Sequence, residues 1–135
     1  ARDHGRLTAA EAARVDRAVE AILQGSVEVG PPEPPTRLHG DLWSGNLLWG
    51  ADGHVWLIDP AAHGGHRESD LAMLALFGAP HLDRILATYD EAWPLADGWR
   101  ARVPLHQAWP LLVHAALFGG GYGATAVRAL DAAGC

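Results

Sequence analysis

The sequence predicts a mostly helical α+β fold in which one short β-hairpin interrupts a series of helices. Three observations lead there. Apolar residues recur at helical spacing over most of the chain. Two short apolar runs flank an Asp52-Gly53 turn, the pattern of a hairpin. Glycines and prolines punctuate these segments where elements should end. The length of 135 residues fits one domain, and 49% hydrophobic with 19% charged residues is the balance of an ordinary globular protein. A net charge of -6 argues against nucleic acid or an anionic membrane as the partner. The single cysteine, Cys135, excludes an internal disulfide framework. With no apolar run of membrane-spanning length and no signal-peptide pattern at the start, a cytoplasmic location is expected.

The elements follow in order. Thr8 and Glu11 form a capping box, so a helix starts there. Val15, Val19, Ile22 and Leu23 carry it on one apolar stripe to a stop at Gly25. Pro31, Pro32, Pro34 and Pro35 then favour a stiff extended connector. The run 38–41 reads as a polar loop, and 46–49 and 55–58 as the two hairpin strands. Residues 69–77 are apolar almost all round, which predicts a buried helix ended by Gly78 and Pro80. Leu82, Ile85, Leu86 and Tyr89 mark a further amphipathic helix. Pro94, Pro104 and Pro110 predict short or kinked helices in the region that follows. An apolar helix over 111–118 should end at the three glycines 119–121, with a last helix over 122–130.

The chemistry is concentrated between His39 and Asp70. His39, Asp41 and Asn46 fit the spacing H-x-D-x-x-x-x-N, that of a phosphoryl-transfer catalytic loop. Asp59 follows Asn46 by thirteen residues, directly after the second hairpin strand. A hydroxyl acceptor needs a carboxylate to orient it and take its proton, and Asp41 can serve. Magnesium prefers hard oxygen ligands, which the Asn46 amide and the Asp59 carboxylate provide. Placing both on one ion requires the chain to run out and back, as a hairpin does.

The runs LHGDLWSGNLLW, LIDPA, GHRESDLAMLALFG, YDEAWPLADGW and PLLVHAALFGGGY resemble the fructosamine (ketosamine) kinase family, from Leu38 nearly to Tyr122. The resemblance implies the C-terminal lobe of a protein-kinase-like fold, its hairpin carrying the metal ligands. It also implies ATP- and Mg2+-dependent phosphorylation of a sugar hydroxyl on a free or protein-borne ketosamine, a repair of glycated amines. By the same resemblance Asp41 is the catalytic base, Asn46 and Asp59 hold magnesium, and His39 and Asp70 support the loop. Trp43 could stack on a sugar or attract an amine cation, and Arg67 and Glu68 are candidates to bind substrate or brace the loop. Two departures fall beside the acceptor pocket: His66 stands where relatives have an acid, and Ala62-His63 replaces bulkier aromatics. An acceptor of another kind (an aminoglycoside, choline or a similar alcohol) is the alternative, and a non-catalytic binding remnant a further one.

Only about ten residues separate Asp59 from the helix near Ser69, too few for a regulated activation segment, and Gly40 replaces the arginine that would read a phosphosite. All ten basic residues are arginines. An enzyme of this type needs a lysine and a glycine-rich loop over the phosphates. The expectation is therefore that residues 1–135 form the catalytic lobe alone, with the nucleotide lobe elsewhere, little activity in isolation, and a tendency to self-associate through uncovered apolar surface.

Overall fold

The computed structural model describes residues 5–135. Its elements run α1 (Ala9–Leu23), β1 (Thr36–Leu38), a single 3-10 turn (Ser44–Asn46), β2 (Leu47–Trp49), β3 (Val55–Leu57), β4 (His63–Gly65), α2 (Glu68–Phe77), α3 (Leu82–Ala92), α4 (Trp99–Phe118) and α5 (Tyr122–Ala132). Among the described residues two compact units form, one from residues 5–30 and 98–135, the other from residues 31–97. None of the described helices is long and apolar enough to cross a membrane.

The first unit is helical. Thr8 caps α1 by accepting from the Glu11 N–H, while the Glu11 carboxylate accepts from the Thr8 N–H at 2.7 Å, so the capping box is formed in both directions. In the core Ala18, Ala108 and Leu130 pack together, with Val15 and Cys135 against them. Gly123 opens α5 where a Cβ would stand 2.6 Å from the Leu7 side chain, so only glycine lets these segments approach so closely. Arg14 ties α1 to the C-terminal end of α5 through the Asp131 carboxylate and the Cys135 carbonyl.

Of the short or kinked helices expected from the prolines, the short ones are not found. α4 is one helix of 20 residues with Pro104 and Pro110 inside it. Each proline removes one backbone donor and crowds the preceding turn, at a cost of about 3 kcal/mol. Burial of Trp99, Leu111, Ala108 and Ala115 along the same helix offsets that cost. Packing has overridden local propensity here.

The second unit is built on two antiparallel ladders. β1 pairs with β4, Leu38 opposite His63, and β2 pairs with β3, Leu47 opposite Leu57. The β2–β3 hairpin closes through a turn in which Gly50 N–H donates to the His54 carbonyl and His54 N–H to the Asp52 carboxylate. The β1–β4 ladder is not foreseen from sequence: three-residue strands, one containing two glycines, show no alternation to read. α2 begins at Glu68 and ends at Gly78, as its apolar run predicts. Its Leu71 and Leu74 are buried, as are Leu38 and Leu47 on the strands, and each contributes about 1.5–3 kcal/mol.

Candidate active site at the junction of two ladders

The nesting of the ladders creates the site. The chain leaves the outer ladder after Leu38, enters the inner one at Leu47, leaves it after Leu57 and returns to the outer one at His63. The two crossings, residues 39–46 and 58–62, therefore lie side by side. One carries Asp41 and Asn46, the other Asp59. The Ile58 N–H donates to the Asn46 carbonyl at 3.1 Å, and His39 Nε2 reaches the Ile58 carbonyl at 2.9 Å.

That second bond fixes the tautomer of His39. A carbonyl only accepts, so Nε2 carries the proton and Nδ1 is left as acceptor, where the Asp41 N–H meets it at 3.3 Å. Asp70, in the first turn of α2, accepts from the N–H groups of His39 at 2.7 Å and Gly40 at 3.0 Å, one with each carboxylate oxygen. Gly40 takes φ +80, and a Cβ there would stand 2.2 Å from the Ala61 carbonyl oxygen, which explains why the loop has glycine at this point.

Asn46 is buried, and its amide nitrogen donates to the Asp41 carbonyl at 2.9 Å and to the Asp41 carboxylate at 3.1 Å. Both N–H groups are thereby spent within the loop, and the amide oxygen has no partner among the described residues. One Asp41 carboxylate oxygen is likewise uncommitted among them. Asp59 is exposed and has φ +51, a left-handed conformation uncommon outside glycine, which costs on the order of 1–3 kcal/mol. Hard oxygen atoms from Asn46 and Asp59 make a suitable donor set for magnesium.

Trp43 stands between Asp41 and Asn46, 40% exposed, with its ring edge-on to Phe77 at 6.2 Å. A Cβ on Gly45 would fall 2.3 Å from the indole, so the second glycine of the loop makes room for this ring. The indole thus offers one supported edge and one open surface.

Arg67 and Glu68, expected either to bind substrate or to brace the loop, are both buried side chains in the structure. They are only 7% and 2% exposed. The Arg67 guanidinium donates to both oxygens of Glu33, at 2.8 and 3.0 Å, and to the carbonyls of Trp93 and Pro94. Glu33 also raises its pKa further above the ordinary arginine value by stabilising the charged form. Four of its N–H interactions are used within the protein, so Arg67 braces the proline-rich connector against the end of α3. Sequence reasoning missed Glu33: one acid among four prolines carries no local signal of its distant partner.

The sequence profile described as fructosamine kinase matches residues 4–133. A protein of Klebsiella aerogenes named "Probable ketoamine kinase" is 42% identical over 119 residues, which are 88% of this chain and 40% of that protein. One of the same name in Lactiplantibacillus plantarum is 47% identical over 96 residues, 71% of this chain and 34% of the relative. A crystal structure from Thermobifida fusca, named for fructosamine-3-kinase, superposes with a TM-score of 0.88 at 56% identity, covering 97% of this chain and 44% of that one. The chain thus spans less than half the length of each of these three relatives. On the profile match and these likenesses together, the chain belongs to the fructosamine kinase family.

Proposed function

We propose that this chain is the C-terminal catalytic lobe of a ketosamine kinase, which transfers phosphate from ATP to a sugar hydroxyl with magnesium. The observation that carries the reading is the junction of the two ladders, which sets Asp41, Asn46 and Asp59 on adjoining crossings.

Asp41 orients the acceptor hydroxyl and takes its proton as the oxygen attacks phosphorus. The Asn46 amide restrains one of its carboxylate oxygens and leaves the other for the hydroxyl. His39 and Asp70 act through the loop backbone and fix where Asp41 stands. The Asn46 amide oxygen and the Asp59 carboxylate would hold magnesium, which when bound neutralises charge on the phosphates. The strained backbone of Asp59 is consistent with such a duty, because it holds a carboxylate outward that has no structural task among the described residues. Trp43 supplies the stacking surface for the acceptor. The nucleotide-binding lobe, with its lysine and glycine-rich loop, belongs to the remainder of the longer polypeptide.

The reading is tested by thermal unfolding of the chain with magnesium and, separately, a fructosyl amine, an aminoglycoside and choline. A ligand at a hundred times its dissociation constant adds about 2.7 kcal/mol, a shift of several degrees for a domain of this size. The fructosyl amine alone should raise the midpoint, and Trp43→Ala should abolish the rise. A shift with another acceptor instead would replace ketosamine in the reading. Robust ketosamine phosphorylation by the isolated chain would overturn the assignment as one lobe of two.

A further inference from the structure

The proposed chemistry gives no task to the Ala62-His63 departure. His63 opens β4, opposite Leu38 in register, where the second crossing rejoins the outer ladder. Its exposed side chain lies against the loop that carries Asp41. A Cβ placed on Gly40, between His39 and Asp41, would stand 2.8 Å from His63 Nδ1. Leu42, Pro60 and Ala62 line the apolar trough beside the two ladders, while Asp41, Asp59 and His63 are all absent from that lining.

The hydrogen bonding of His63 leaves one nitrogen for a ligand. Nδ1 lies 2.9 Å from the Ala61 carbonyl oxygen. A carbonyl only accepts, so Nδ1 carries the proton, and in the neutral ring Nε2 is a bare hydrogen-bond acceptor. Among the described residues nothing donates to it. His39, on the other side of Gly40 in the fold, is the opposite case. Its Nε2–H is spent on the Ile58 carbonyl and its Nδ1 on the Asp41 N–H. Arg67 and Glu68 are buried. His63 therefore offers an exposed, neutral hydrogen-bond acceptor beside the loop of the proposed base.

We propose that His63 is a specificity-determining residue: its Nε2 accepts a hydrogen bond from a second hydroxyl of the sugar whose first hydroxyl gives its proton to Asp41. The inference rests on the phosphoryl-transfer reading and deepens it, because it assigns the substrate as a polyhydroxyl sugar and not a lone alcohol. The two groups divide the work by their charge. A carboxylate suits the hydroxyl that must lose its proton. A neutral imidazole nitrogen holds a hydroxyl that keeps its own. An alcohol of the choline kind has one hydroxyl and nothing to give Nε2.

Asparagine and glutamine separate this role from a structural one. The asparagine amide nitrogen replaces Nδ1 and keeps the bond to Ala61, with nothing at the place of Nε2. The glutamine amide reaches the place of Nε2, where its oxygen accepts, and gives up the bond to Ala61. In the full-length enzyme that carries this lobe, His63→Asn should raise KM for a fructosyl amine about three- to tenfold. Its kcat should hardly change, since the bond is equally present in the ground and transition states. His63→Gln should keep KM within about twofold of the wild type, because it still supplies the hydrogen-bond acceptor. Among mono-deoxy fructosyl amines, one should show the same rise with the wild type, and on that analogue His63→Asn should add nothing further. The reverse order, with glutamine impaired and asparagine normal, would show that His63 only braces Ala61 and would overturn the proposal. So would equal KM values for the two variants, or losses that add on every analogue. A wild-type enzyme that phosphorylates no fructosyl amine would instead overturn the reading itself, and the role of His63 with it.

Discussion

The helical unit and the ladder unit of this chain are held together by different kinds of force. In the helical unit, α1, α4 and α5 bury alanines, with Ala18, Ala115 and Ala126 fully removed from solvent. Its stability comes from many close contacts of small groups, each weak and none tied to a special direction. The ladder unit also buries Leu38, Leu47, Leu71 and Leu74, but its candidate residues lie on two crossings outside the ladder pairings. It orients them instead with a handful of directed bonds, from Asp70, His39 and Asn46. It also tolerates Asp59 in a strained conformation. The difference teaches that one region is organised for stability and the other for position. Substitutions should therefore separate loss of activity from loss of fold.

The largest effect should separate them most cleanly. In a full-length family enzyme carrying this lobe, Asp41→Asn should lower kcat by about 10²–10⁴. The urea midpoint should hardly move, because Asn46 can still hydrogen-bond the new amide oxygen. A parallel fall in stability would show that Asp41 supports the loop rather than the reaction.

Asp70→Ala should act on both properties. It leaves the N–H groups of His39 and Gly40 without their acceptor, at about 1–3 kcal/mol each. Activity should fall through kcat with little change in KM for either substrate, and Asp70→Asn should recover only one of the two bonds. Chemical denaturation alongside initial rates makes the distinction. In the helical unit, Ala126→Leu should cost about 1–3 kcal/mol by overpacking a fully buried site. Per folded molecule it should leave kcat unchanged. If it lowered kcat as Asp70→Ala does, the contrast between the units would fail.

The same contrast governs how much could be read from sequence. α1, α3 and α5 show periodic apolar residues and α2 a continuous apolar run with a glycine stop, and these are local signals that survive in one dimension. The hairpin is legible for the same reason, through Asp52-Gly53 between two apolar runs. Asp41, Asn46 and Asp59 are legible as candidates because a loop pattern of fixed residue types and spacing, and an acid directly after a strand, can be read from one dimension. The β1–β4 ladder and the Glu33–Arg67 pair could not, since each joins segments about thirty residues apart with no local pattern at either end. α4 was hidden by its prolines, whose local cost is evident in sequence while the burial that offsets it is not.

The smallest effect probes the helical unit at its most local feature, the capping box of α1. Thr8→Ala removes the hydroxyl that accepts from the Glu11 N–H and should cost about 1 kcal/mol. The Glu11 carboxylate is held below its usual pKa, first by the Thr8 backbone N–H and then by the Thr8 hydroxyl, each of which donates to the charged form. A carboxyl depressed in the folded state stabilises the fold above its unfolded pKa and loses that contribution as pH falls through the folded value. Stability should therefore decline on acidification from the ordinary glutamate range downward. Thr8→Ala removes only the second donor, so part of this acid sensitivity should persist. Glu11→Gln removes the titrating group and should abolish it. Urea unfolding across that window distinguishes the three proteins, and a Thr8→Ala chain as flat with pH as Glu11→Gln would show that the hydroxyl, not the backbone N–H, holds the carboxylate.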